Sequence, residues 1–324
     1  MADGDAPPTL DPQVLEQLVS RALDEIGATL NATLERCVRE ALRSVAHARV
    51  HPARHGMEFR VLGPLEAVQD GRIVELGPTK QKALLALLLL HPGRTVAVGR
   101  IVDELWGDDP PGSARKGIQV YVSRLRRLLP DGILQTRAPG YRLEVDHETV
   151  DLYRFERLRA DARVAREQGR SADAAQQLRD ALALWRGSAL TEFEGEPFAR
   201  LEGARLEELR MTTVEERIEA DLELRRHADL VGELEALAAR HPMRERPLAA
   251  LMLALYRTGR HADALAAFRE RQRVLTDELG LQPSKALCQL QLRILRHDPL
   301  LEPPVTSAAR RLPAVQASLS AARG

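Results

Sequence analysis

Between residues 113 and 142 the chain carries seven basic side chains, Arg115, Lys116, Arg124, Arg126, Arg127, Arg137 and Arg142, against one acid, Asp131. A local excess of +6 in an otherwise neutral chain marks a surface suited to phosphates. Spacing refines the chemistry. Placed as a helix at about 100° per residue with Ile118 at zero, residues 113–129 gather Ile118, Tyr121, Val122, Leu125, Leu128 and Leu129 in one sector. Lys116, Gln119, Val120, Ser123 and Arg127 lie opposite, flanked by Arg126 and Arg124. Ser113 is suited to cap this helix, and Pro130 to end it.

The polar face therefore offers cations, an amide, a hydroxyl and a small aliphatic group. Arg pairs with guanine, Gln with adenine, Ser with either, and a small apolar side chain touches the thymine methyl. Gln119, Val120, Ser123 and Arg127 sit near the centre of the face and are candidates for base edges. Lys116, Arg124 and Arg126 lie nearer its rim and are candidates for phosphates, although Arg126 suits either role. The competing reading is an ordinary solvated face, so the neighbouring elements must decide.

Those neighbours form a recognisable set. Downstream, residues 133–137 and 141–145 read as two strands joined by Ala138, Pro139 and Gly140, with Arg137 near the tip. Upstream, Gly77, Pro78 and Thr79 precede a helix over 80–90, and a second helix covers 98–106. Before these, residues 57–67 and 72–76 have strand character, with Gly71 at a turn. Strands, three helices and a terminal hairpin describe a winged helix-turn-helix. Its third helix enters the major groove, and its wing meets the adjacent minor groove. Arg137 is expected in the minor groove, and Tyr141 and Arg142 of the wing join the candidate DNA contacts. Thr79 and Lys80, at the head of the first helix, complete that set.

The run TKQKALLALLLLHPGRTVAVGRIVDELWGDDPPGSARKGIQVYVSRLRRLL, closed by TRAPGYRL, resembles the OmpR/PhoB-type winged helix. More closely, it is similar to the version found in the SARP/AfsR family of actinobacterial transcription activators. The resemblance implies an activator that binds directly repeated promoter elements as a homodimer, two protomers head to tail. It further implies recruitment of RNA polymerase through its sigma factor or another subunit, and pathway-specific control of antibiotic biosynthesis. Trp106, Gly107, Asp108, Asp109 and Pro110, in the turn before the third helix, become candidate polymerase contacts by the same resemblance. The alternative is that Trp106 is a core aromatic and that Pro110 and Pro111 merely shape the turn.

From about residue 150 to 298 the pattern is helical throughout. Arg170-Ser-Ala-Asp-Ala, Arg226-His-Ala-Asp-Leu and Arg260-His-Ala-Asp-Ala each open an amphipathic stretch, at offsets of 56 and 34 residues. The second offset is the tetratricopeptide period. An ordinary Ala/Leu/Arg-rich bundle is the alternative. VDLYRFERL and ELGLQPSKALCQLQLRIL resemble the start and end of the bacterial transcriptional activator domain that follows the winged helix in SARP-type regulators, extending the resemblance over residues 57–300. The expected fold is mostly α: a winged helix-turn-helix (α+β) over 57–147, then a tetratricopeptide-like helical domain over 148–300. Residues 1–56 form an extension whose apolar stripe predicts an amphipathic helix over 11–48, and residues 301–324 read as a disordered tail.

Composition narrows the alternatives. Basic and acidic residues number 47 each, so a polyanion-binding tail is not expected. Of those bases 43 are Arg and 4 are Lys, the mark of a GC-rich coding sequence. Cys37 and Cys288 are too few for a disulfide framework, which points to the cytoplasm. The longest apolar run, residues 83–90, is far short of a membrane span, and the N-terminus lacks a signal-peptide pattern. His47, His51 and His55 have metal-ligand spacing, but Pro52 interrupts the helix and no Cys or carboxylate completes the set. The pairs Asp108–Asp109 and Glu207–Glu208 read as solvated charge. No hydrolase, zinc-protease or phosphate-loop motif occurs, so neither an enzyme nor a cofactor is expected, nor the ATPase module of longer family members. The reading is a nucleoid-associated cytoplasmic activator. Its rival is an interaction scaffold whose winged helix contacts protein only.

Overall fold

The computed structural model describes residues 56–302. The helix expected over 11–48, the three histidines at 47, 51 and 55, and the chain from 303 onward lie outside the described residues.

Strands β1 (Met57–Arg60), β2 (Glu66–Gln69) and β3 (Arg72–Val74) form an antiparallel sheet in that order. Asp70 and Gly71, with φ of 51° and 77°, make a two-residue turn whose twist suits a hairpin. The single strand expected over 57–67 is divided in two. Gly63 and Pro64 turn the chain, and the Val61 and Leu62 N–H groups donate to the Asp151 carboxylate at 2.8 and 3.0 Å. That acceptor lies 90 and 89 residues downstream, so no local pattern announces the break. Burial pushes the Asp151 carboxyl above the usual range, while the two N–H donors and Arg186 oppose the shift.

Helix α1 (Thr79–Leu89) is buried at every position from Ala83 to Leu89. A helix apolar all round belongs inside a domain. Helices α2 (Val98–Trp106) and α3 (Ala114–Leu128) pack against it. A second sheet joins β4 (Thr95–Ala97), β6 (Gly140–Leu143) and β5 (Leu134–Arg137), in that spatial order. The β5–β6 hairpin is the expected wing. Strand β4 was not legible in the sequence, being three residues long with a distant partner, and it pairs Val96 with Tyr141 and Ala97 with Gly140.

Among the described residues seven α-helices follow: α4 (Asp151–Glu167), α5 (Ser171–Ala183), α6 (Pro197–Glu223), α7 (His227–Arg240), α8 (Glu245–Arg257), α9 (His261–Leu279) and α10 (Lys285–Leu295). The three repeated motifs open α5, α7 and α9, with Arg170, Arg226 and Arg260 as N-caps. Asp173, Asp229 and Asp263 fall in the first turns, where a carboxylate meets the positive end of the helix dipole. Each N-cap N–H donates to the carbonyl five residues back, on Ala165, Asp221 and Leu255, at 2.8, 3.1 and 2.8 Å. A left-handed residue precedes each N-cap: Gly169, Arg225 and Gly259. The second copy uses arginine where the others use glycine, which hides its helix end from a glycine-based reading.

One hydrophobic core runs from Met57 through both sheets and α1–α3 into α4, α5 and α6 as far as Leu206. A second spans Ile218 to Leu301. Packing therefore continues across residues 147 and 148, and the two cores meet within α6. Ion pairs reinforce that meeting point. Glu215 binds Arg244 and Arg246, each at 3.0 Å, and Glu216 binds Arg159 and Arg163 at 3.0 and 3.1 Å.

Candidate nucleic-acid interface

Helix α3 turns Ile118, Val122 and Leu125 into the core, at 0%, 2% and 0% exposure. The opposite face is thereby forced outward. Lys116, Gln119, Ser123, Arg124 and Arg127 are exposed, as is Arg115, and Val120 is 42% exposed. Ser113 stands at the N-cap, but its side chain makes no capping hydrogen bond. Among the described residues, Arg115, Lys116, Arg124 and Arg127 form no ion pair. Along α6, by contrast, Arg159, Arg163, Arg166, Arg217, Arg226, Arg244 and Arg246 are all met by carboxylates. Among the described residues, no carboxylate neutralises these four cations of α3.

The wing stands beside this face. Arg137 is exposed at its tip, and its Nε donates to Gln135 Oε1 at 3.2 Å. The Ala138–Pro139 peptide next to it is cis. Gly140 lies so close to β4 that a Cβ there would stand 1.8 Å from the Val96 carbonyl oxygen. Only glycine lets the two strands approach in this way.

Four of the expected contact residues are engaged within the chain itself. Tyr141 is 8% exposed and packs in the core, because its position in β6, paired beside Val96 of β4, faces inward. Arg142 is half-buried and held by Glu144, Nε to Oε2 at 2.5 Å and Nη2 to Oε1 at 2.9 Å. Arg126 is turned toward the wing, donating to the Leu134 carbonyl at 2.9 Å and to Thr136 Oγ1 at 2.7 Å. Lys80 is held at the junction with the helical half: its Nζ donates to the Leu105 carbonyl, lies 2.5 Å from Glu196 Oε2 and sits 5.1 Å above the Trp106 ring. Thr79 remains exposed.

The turn before α3 divides in the same way. Trp106 is half-buried against the core beneath Lys80. Gly107 (φ 68°) abuts α6, where a Cβ would meet Pro197 Cγ at 3.3 Å. Asp108, Asp109 and Pro110 are exposed.

Sequence reasoning missed the residues that join the winged helix to the helical half. Besides Asp151 and Glu196, these are Glu192, which accepts from the Leu65 N–H at 2.6 Å, and Arg186, which donates to the Pro64 carbonyl at 2.8 Å. Their partners lie more than a hundred residues away, and neither sits in a motif. Among the described residues, no helix is long and apolar enough to cross a membrane, and no group of three or more His, Cys, Asp or Glu could hold a metal ion.

Residues 71–143 match the family described as "Transcriptional regulatory protein, C terminal", and residues 150–295 match "Bacterial transcriptional activator domain". The chain is 44% identical over 246 residues to Regulatory protein AfsR of Streptomyces coelicolor, covering 76% of this chain and 25% of that protein. It thus spans about a quarter of the AfsR length. It is 41% identical over 267 residues to Regulatory protein DnrI of Streptomyces peucetius, covering 78% of this chain and 98% of DnrI. A solved structure of Mycobacterium tuberculosis EmbR, in complex with a low-affinity phosphopeptide, superposes with a TM-score of 0.74 at 36% identity, covering 76% of this chain and 66% of that one. With the winged helix and the helical domain matched in the same order, and DnrI matched over nearly its whole length, the chain belongs to the SARP/AfsR family of transcriptional regulators.

Proposed function

We propose that this regulator binds double-stranded promoter DNA sequence-specifically, with α3 in the major groove and the wing over the adjacent minor groove. One observation carries the reading. Arg115, Lys116, Arg124 and Arg127 form no ion pair among the described residues and surround Gln119, Val120 and Ser123 on a single exposed face. Lys116 and Arg124 hold phosphates, while Gln119, Val120, Ser123 and Arg127 meet base edges. Two protomers sit head to tail on directly repeated elements and form a homodimer on the DNA. The exposed Asp108, Asp109 and Pro110 face RNA polymerase and its sigma factor, and the genes activated belong to an antibiotic pathway. This role needs no catalysis and no cofactor, and it is exercised on DNA in the cytoplasm.

A mobility shift on the promoters neighbouring the gene, at two salt concentrations, tests the reading. The expected result is selective retention of one fragment, weakening steeply with salt. Absence of binding, or indifference to sequence at both salts, favours the rival scaffold whose winged helix contacts protein only.

A further inference from the structure

The reading helix and the wing meet through one charged side chain as well as through the core. Arg126, in the last turn of α3, sends Nε to the Leu134 carbonyl at 2.9 Å and Nη2 to Thr136 Oγ1 at 2.7 Å. The planar guanidinium fixes direction as well as distance, because both donors belong to one rigid group. Side chains alternate along a strand, so Thr136 and Gln135 lie on opposite faces of β5. On the second face, Gln135 Nε2 donates to the Gly132 carbonyl at 3.0 Å while its Oε1 accepts from Arg137 Nε at 3.2 Å. One face of the strand is tied to α3. The other face aims the arginine at the wing tip.

We propose that Arg126 is a positioning residue for Arg137, holding the hairpin at a set angle to α3. The spacing between the bases met by Gln119 and Ser123 and the minor-groove flank met by Arg137 then depends on this one brace. The inference rests on the DNA-binding reading above. It also changes what Arg126 does there, from a phosphate contact to a spacer between two contacts.

Two variants separate those roles. Arg126→Ala removes the brace and the charge together. Thr136→Val removes one acceptor while keeping the strand shape and the charge. In the free full-length chain, hydrogen exchange of the β5 and β6 amides is expected to quicken several-fold in Arg126→Ala, and less in Thr136→Val. Unchanged exchange in Arg126→Ala overturns the proposal. On operator DNA with an A·T-rich flank, Arg126→Ala is expected to lose roughly tenfold in affinity with an unchanged salt slope. Thr136→Val should lose part of the same amount, and neither change should cost more once Arg137→Ala is present. A salt slope lowered by about one unit in Arg126→Ala, with Thr136→Val silent, makes Arg126 a phosphate contact and overturns the proposal. If the unaltered chain binds no promoter fragment, the DNA-binding reading fails, and the exchange measurement alone decides whether the brace exists.

Discussion

Lys80 and Glu196, 116 residues apart, meet at 2.5 Å where the winged helix abuts the helical half. Glu196 is nearly buried, with 11% of its side chain exposed, whereas Lys80 retains 32%. The Leu105 carbonyl and the Trp106 ring complete the lysine's surroundings. Removing Glu196 leaves a half-buried ammonium without its counter-charge. Glu196→Ala should therefore lower unfolding stability by about 1–3 kcal/mol in denaturant titration. Lys80→Ala should leave the salt dependence of DNA binding unchanged. A slope lower by about one unit in that variant would return Lys80 to the phosphate contacts.

Gln119 stands at the centre of the exposed face of α3, where its amide can meet an adenine edge. Gln119→Ala is expected to cost on the order of 1–3 kcal/mol on the preferred operator and to relax one base position. A binding-site selection carried out with both proteins reads this directly. Equal weakening on every sequence would contradict the assignment.

Asp108 and Asp109 are exposed between Gly107, seated against Pro197, and the start of α3. The double change Asp108→Ala with Asp109→Ala should keep operator affinity within about twofold, as expected of surface substitutions away from the DNA. Transcription from the cognate promoter should fall. Loss of DNA binding would instead make the loop a structural support for α3.

Gly140→Ala places a methyl group 1.8 Å from the Val96 carbonyl oxygen and 2.8 Å from the Ala97 Cα, both backbone atoms. The β4–β6 pairing must open to admit it. A loss at or above about 3 kcal/mol is expected, beyond ordinary overpacking. Thermal unfolding checks the size of the loss. Full retention of stability would mean that the sheet can shift at no cost.

His227 opens α7 with its ring buried and, among the described residues, both nitrogens without a hydrogen-bond partner. Burial depresses its pKa below the ordinary 6.5, helped by the Arg257 and Arg225 cations and opposed by Glu302. A histidine with a depressed folded pKa contributes stability that is present above its unfolded pKa and lost as the pH falls through the folded one. Chain stability should therefore decline below about pH 6.5, by at most about 1.4 kcal/mol per pH unit from this group. His227→Leu should flatten that part of the profile. An identical slope in both proteins would assign the acid sensitivity elsewhere.

Local pattern was enough for α3 and for the wing. The 3.6-residue spacing of Ile118, Val122 and Leu125 fixes which side of α3 is buried, and hence that Gln119, Ser123 and Arg127 face outward. The turn residues 138–140 likewise set the hairpin, and the repeated Arg-x-Ala-Asp motif marks three helix starts. These features depend on interactions within a few residues of chain. Tertiary structure alone decided which partners the other cations find within the chain. Lys80, Arg126 and Arg142 look like equivalent surface cations in the sequence, yet each is claimed by a partner: Glu196 far along the chain, the wing strand, and Glu144. The break after Leu62 awaits Asp151, and the core that joins the winged helix to α4–α6 closes over gaps of about a hundred residues. A cation's free energy depends on the nearest carboxylate or carbonyl in space, and periodicity along one element carries no record of that neighbour.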